Sequence, residues 1–134
     1  MNITDRFLRY VSFCTTSDDS TNMVPSTPGQ MEFARYLVKE LQMIGMEEVE
    51  LDTNGYIMAT VPATAKGRPT IGFIAHMDTS PDASGRAVQP RIIHNYDGGD
   101  IVLNEAEQII LETAKYPEIT SYKGQDMIVT NGKT

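Results

Sequence analysis

The 134-residue sequence has one cysteine, Cys14, so no intramolecular disulfide can brace the chain. A reducing cytosol is the simplest compartment for such a protein, and the expected location is cytoplasmic. With no neighbour to lower its pKa, Cys14 reads as a small core residue rather than a reactive thiol. A secretory leader is not expected either: Met1 is followed by Asn2, Ile3, Thr4 and Asp5, with neither a basic start nor an apolar core. Long apolar runs are missing. The longest, residues 71–75, is interrupted by Gly72 and falls far short of the ~20 residues that span a bilayer. Lys/Arg clusters are missing too, and 18 acids against 11 bases leave a net charge of −7. Nucleic-acid binding needs a cationic surface that releases counterions, so neither nucleic acid nor membrane is an expected partner. No Gly-rich phosphate loop and no Gly-x-Ser-x-Gly elbow occurs.

What is present is ordinary for a globular chain, with 40% hydrophobic and 22% charged residues. The length suits one domain. Folded compactly, 14.9 kDa should expose roughly 7,000 Å² of the about 21,600 Å² of the unfolded chain. Residues 3–14 carry Ile3, Phe7, Tyr10, Val11 and Cys14 at helical spacing. Residues 15–26 are rich in Ser, Thr, Asp and Asn and predict a surface loop. A second helix is signalled by Thr27 as N-cap, Pro28 at the first position and Gln30 closing a capping box. Its stripe of Ala34, Leu37, Val38, Leu41 and Ile44 ends at Gly45, a natural C-cap.

Residues 49–51 and 56–61 read as strands joined through Asn54-Gly55, a dipeptide suited to a type I′ turn. Residues 70–75, apolar throughout apart from Thr70 and Gly72, predict a buried strand of a parallel or mixed sheet. Residues 78–90 read as a polar loop. Strands are also expected at 100–103, 108–111 and 127–130, with a helix over 104–114 as the alternative to the second of these. Capped helices mixed with short strands indicate an α/β class.

The chemistry concentrates at two histidines. His76 follows the apolar run directly, and Asp78 lies two residues on. If the chain stays extended there, both side chains point the same way at the strand's carboxyl end, where α/β sites gather. A carboxylate that orients a metal-binding imidazole is a common catalytic arrangement. Taken alone, His-x-Asp is weak evidence, and a loop histidine hydrogen-bonded to a neighbouring acid is the better account of the spacing by itself. His94, Asp97 and Asp100 invite a metal reading by their three-residue spacing, but Gly98-Gly99 breaks any helix that would align them, and a turn is the better account. The eight methionines read as packing residues, and Glu47, Glu48 and Glu50 as a solvated acidic face.

Residues 72–82, Gly-Phe-Ile-Ala-His-Met-Asp-Thr-Ser-Pro-Asp, closely resemble the first metal-site motif of the peptidase T family of tripeptide aminopeptidases. Further stretches are similar in the same order: Arg9-Tyr10-Val11-Ser12-Phe13, Thr27-Pro28-Gly29-Gln30, Asn95-Tyr96, Gly98-Gly99-Asp100-Ile101 and Asn131-Gly132-Lys133-Thr134. The resemblance spans essentially the whole chain. It implies the N-terminal part of a three-layer zinc-exopeptidase-like catalytic domain, with a mixed, mainly parallel sheet flanked by helices. It implies a cytoplasmic enzyme that uses two zinc ions to remove the N-terminal residue of tripeptides.

By the same resemblance His76 is a zinc ligand and Asp78 the catalytic aspartate that orients the site, while Asp82 falls in the motif without an assigned role. The bridging aspartate, the glutamate base, the other zinc ligands and the lid domain of the family lie beyond residue 134. Residues 1–134 alone are therefore expected to be inactive, because catalytic zinc takes about three protein ligands. Their unpartnered strand edges are expected to favour self-association. A related dipeptidase, carboxypeptidase or deacylase shares the His-x-Asp core, and a non-catalytic interaction module is the reading from another class.

Overall fold

A computed structural model describes residues 2–134. The chain divides into two compact units, Phe13–Asp82 and residues 2–12 together with Ala83–Thr134. In the first unit, helix α2 (Pro28–Met43) packs on a hairpin of β1 (Glu47–Leu51) and β2 (Ile57–Thr60). Phe33 and Ala34 are buried residues of the helix itself, and the Phe13 ring sits 5.0 Å from Phe33 and 5.1 Å from Tyr36 between centroids. The expected stripe holds for Ala34, while Leu37, Val38 and Leu41 are half-buried and Ile44 is exposed.

The helix starts at Pro28, as its fixed φ and missing donor favour. The capping box does not form. Thr27 instead donates its hydroxyl to the Thr16 carbonyl at 2.9 Å, and the Gln30 amide reaches the Thr15 carbonyl. Both side chains are drawn to the neighbouring segment and away from the helix's own N–H groups. At the other end Gly45, with φ +87°, closes a Schellman motif: Gly45 N–H donates to Gln42 and Met46 N–H to Leu41.

The β1–β2 connection is not the two-residue turn expected from Asn54-Gly55. Only Gly55 takes a positive φ, because Asp52 Oδ1 accepts from the Asn54 and Tyr56 N–H groups and organises a wider loop. A bulge in β1 puts Glu48 at φ +50°, with Glu47, Glu48 and Glu50 exposed as expected.

In the second unit, α1 (Ile3–Tyr10) begins at Asn2, which forms a capping box with Asp5. It ends four residues earlier than expected, because the Ser12 N–H and hydroxyl both take the Arg9 carbonyl and tighten the last turn. Strands β3 (Arg91–Ile93) and β6 (Met127–Val129) pair antiparallel, as do β4 (Ile101–Asn104) and β5 (Ile109–Leu111). The alternative helix over 104–114 is absent: Asn104 caps one turn, Gln108 turns at φ +53°, and Ile109 re-enters a strand. Tyr96, Ile101, Ile119 (in the 3₁₀ helix Pro117–Tyr122) and Val129 form the core, flanked by Ile93, Leu103, Leu111 and Met127.

The protein is thus a small α/β structure with antiparallel two-stranded sheets. The expected strand at 70–75 is corrected by the structure. Every residue from 61 to 76 is exposed and outside any strand, with Phe73 at 93% and Ile74 at 101%. A buried parallel strand needs a neighbour on each edge and cover on each face, and among the described residues none supplies them. No helix among the described residues is long and apolar enough to cross a membrane.

Candidate functional site

The polar loop of residues 15–26 returns to the chain at Thr79. Thr16 and Thr79 form an isolated parallel bridge, closed by Ser17 N–H to Thr79 O (3.0 Å) and Thr79 N–H to Thr15 O (3.3 Å). This pins the end of the 72–82 motif although the run before it is unpaired. Just before the bridge, His76 Nδ1 lies 3.0 Å from Asp78 Oδ1, with side chains 83% and 45% exposed. The two residues meet, as their spacing suggested. An ionised carboxylate only accepts, so Nδ1 is the donor, and in the neutral ring Nε2 keeps its lone pair.

Asp78 is also bound by the Ser17 hydroxyl, which donates to Oδ2 at 3.0 Å. The His76 hydrogen bond, and then that of Ser17, hold the Asp78 carboxyl below the usual carboxylate range, against a small opposing effect of burial. Asp82 is turned into its own loop, where Ser80 donates to Oδ2 at 2.8 Å.

His94, Asp97 and Asp100 do not converge. His94 Nδ1 sits 2.7 Å from Asp126 Oδ2, whose other oxygen accepts from the Asn95 N–H at 2.9 Å. Asp97 accepts from the Gly99 N–H, and Asp100 from the Thr113 N–H and hydroxyl. The turn reading holds, with Asn95 at φ +50° and Gly98 at φ +91°. Those hydrogen bonds lower the Asp126 carboxyl, first through Asn95 and then His94, and lower Asp100 through Thr113. Sequence reasoning passed over Ser17 and Asp126. Each lies far from its partner in the chain, and no local pattern announces either.

The arrangement fits one ligand of a metal site: an exposed imidazole, oriented through Nδ1 by a carboxylate, with Nε2 available. Among the described residues no group of three or more His, Cys, Asp or Glu side chains could hold a metal ion.

No protein-family model matches the chain. Curated relatives do. It is 60% identical to the peptidase T of Parabacteroides distasonis, with 100% of this chain and 33% of the relative covered. It is 56% identical to the peptidase T of Caldanaerobacter subterraneus, with 98% of this chain and 32% of the relative covered. The peptidase T of Geobacillus thermodenitrificans is also 56% identical, over 97% of this chain and 32% of its own length. The chain spans about a third of the length of these relatives. Throughout its length it is similar to proteins named peptidase T, and what it resembles is their N-terminal portion.

Proposed function

We propose that these residues are the N-terminal part of a zinc-dependent tripeptide aminopeptidase of the cytoplasm, within a three-layer catalytic domain whose remaining elements lie outside them. The observation that carries the reading is the His76–Asp78 pair at 3.0 Å, inside the stretch that resembles the family's metal-site motif. His76 would hold one zinc through Nε2, and Asp78 would fix the ring and keep the proton on Nδ1. Zinc, when bound, supplies Lewis acidity that polarises a peptide carbonyl and acidifies water. Two ions are expected in the complete enzyme, with the other ligands and the general base outside residues 1–134.

The chain by itself is proposed to be inactive, since one ligand and its orienting acid neither retain zinc firmly nor supply a base. A chimera tests this. Residues 1–134 replace the matching segment of the Parabacteroides relative, and metal content and release of the N-terminal residue from a tripeptide are measured. The chimera should bind zinc and turn over, and His76→Ala should remove both metal and activity. A folded chimera whose metal content is unchanged by His76→Ala would overturn the proposal. So would tripeptide turnover by the isolated chain.

A further inference from the structure

Ser17 and Asp78 are 61 positions apart in sequence, yet the Ser17 hydroxyl is 3.0 Å from Asp78 Oδ2. The segment that carries Ser17 is held on two sides. In front, it is joined to Thr79 by the two backbone hydrogen bonds of the parallel bridge. Behind, the start of α2 supports it: Gln30, 6% exposed, donates to the Thr15 carbonyl at 3.3 Å and to the Ser26 hydroxyl at 3.2 Å. The Thr27 hydroxyl donates to the Thr16 carbonyl, and Ser26 Oγ accepts from the Asp18 N–H at 3.0 Å. Ser17 is therefore presented from a hydrogen-bonded platform.

We propose that Ser17 is a positioning residue for the His76–Asp78 pair. Its hydroxyl holds Oδ2 of Asp78, so that Oδ1 stays on His76 Nδ1 and the Nε2 lone pair is kept for a metal or other electrophile. The inference rests on the reading of His76 as a ligand but concerns how this chain's own residues prepare that ring. Without a second bond, a half-exposed carboxylate exchanges its two oxygens and rotates away from the imidazole. A hydrogen bond on Oδ2 removes that freedom.

The Thr79 carbonyl also lies 3.0 Å from Ser17 Oγ, so one hydroxyl proton faces two acceptors. The ionised carboxylate is the stronger acceptor, and the Thr79 carbonyl already receives the Ser17 N–H. The hydroxyl therefore serves Asp78.

The test reads the His76 tautomer by ¹⁵N nuclear magnetic resonance of the 134-residue chain, carrying Phe73→Lys and Ile74→Lys to keep it monomeric, without metal, at pH about 8, above the ordinary imidazole range. His94, paired with Asp126 in the other unit, is the internal control. Ser17→Ala should lower the ratio of Nδ1–H to Nε2–H at His76 by about threefold, the scale of a partly exposed charge-assisted bond acting one step away. Ser17→Thr should restore the ratio, and His94 should not change. If Ser17→Ala loses the amide spectrum of the fold, Ser17→Cys keeps the size with a weak donor and should give the same drop.

On an Asp78→Ala background, removing the Ser17 hydroxyl should change nothing further. An unaltered His76 tautomer in folded Ser17→Ala overturns the proposal, as does a further shift without Asp78. Loss of zinc uptake by the chimera alongside an intact tautomer effect would overturn the peptidase reading and support the role of Ser17.

Discussion

Replacing Gly29 by alanine should destabilise the first unit, although the substitution improves intrinsic helix propensity. Gly29 is the second residue of α2. Propensity alone favours alanine over glycine in a helix by about 1 kcal/mol. The packing demands the opposite sign. A Cβ built on Gly29 would overlap the Cys14 carbonyl oxygen and stand 3.0 Å from its carbon. The obstacle is backbone, which cannot rotate aside like a side-chain end. The helix start and the 14–17 segment would have to separate, loosening the bonds from Thr27 to Thr16 and from Gln30 to Thr15.

Overpacking of this kind costs about 1–3 kcal/mol, and each loosened hydrogen bond adds about 1 kcal/mol. A net loss of roughly 2–4 kcal/mol remains after the propensity gain. Urea titration followed by far-ultraviolet circular dichroism measures it, with Gly72→Ala as the control, since nothing lies within 4 Å of a Cβ there. A Gly29→Ala chain as stable as the unaltered one, or more stable, would refute the close approach of Cys14 to α2 and with it the platform under Ser17.

Two further outcomes are expected. Asp100 and Asp126 have carboxyls held below the ordinary range, so their stabilisation is complete above about pH 4 and is lost as pH falls through their lower folded values. The unit containing Ala83–Thr134 should lose stability as pH falls into the acid range, measured by urea titration followed by tyrosine circular dichroism, and Asp100→Asn should flatten the dependence; constant stability from neutral to strongly acid pH would contradict it. The exposed run of Ile71, Phe73 and Ile74 should make the isolated chain self-associate at micromolar concentration. Phe73→Lys with Ile74→Lys should yield monomers in sedimentation velocity while changing unfolding by no more than about 0.5 kcal/mol; a monomeric unaltered chain would contradict this.

Elements whose signals lie within a few residues were legible. Pro28 and Gly45 bound α2 because a fixed φ and a tolerated positive φ act locally. The β-branched stretches at Ile101–Asn104 and Ile109–Leu111 became strands because each finds the other across a short turn. The His76–Asp78 spacing was readable for the same reason, since both side chains belong to one short stretch.

The tertiary structure decided whatever depends on the chain returning to itself. Residues 70–75 have strand composition, but composition supplies no hydrogen-bonding neighbour, and without one they stay exposed. Thr27 and Gln30 match a capping box, yet carbonyls of the 15–16 segment claim both side chains. The partners Ser17 for Asp78 and Asp126 for His94 come from segments 61 and 32 positions away. Periodicity and capping act along a few residues of backbone. A long-range hydrogen bond is set by how loops close, and only the folded path brings its two ends together.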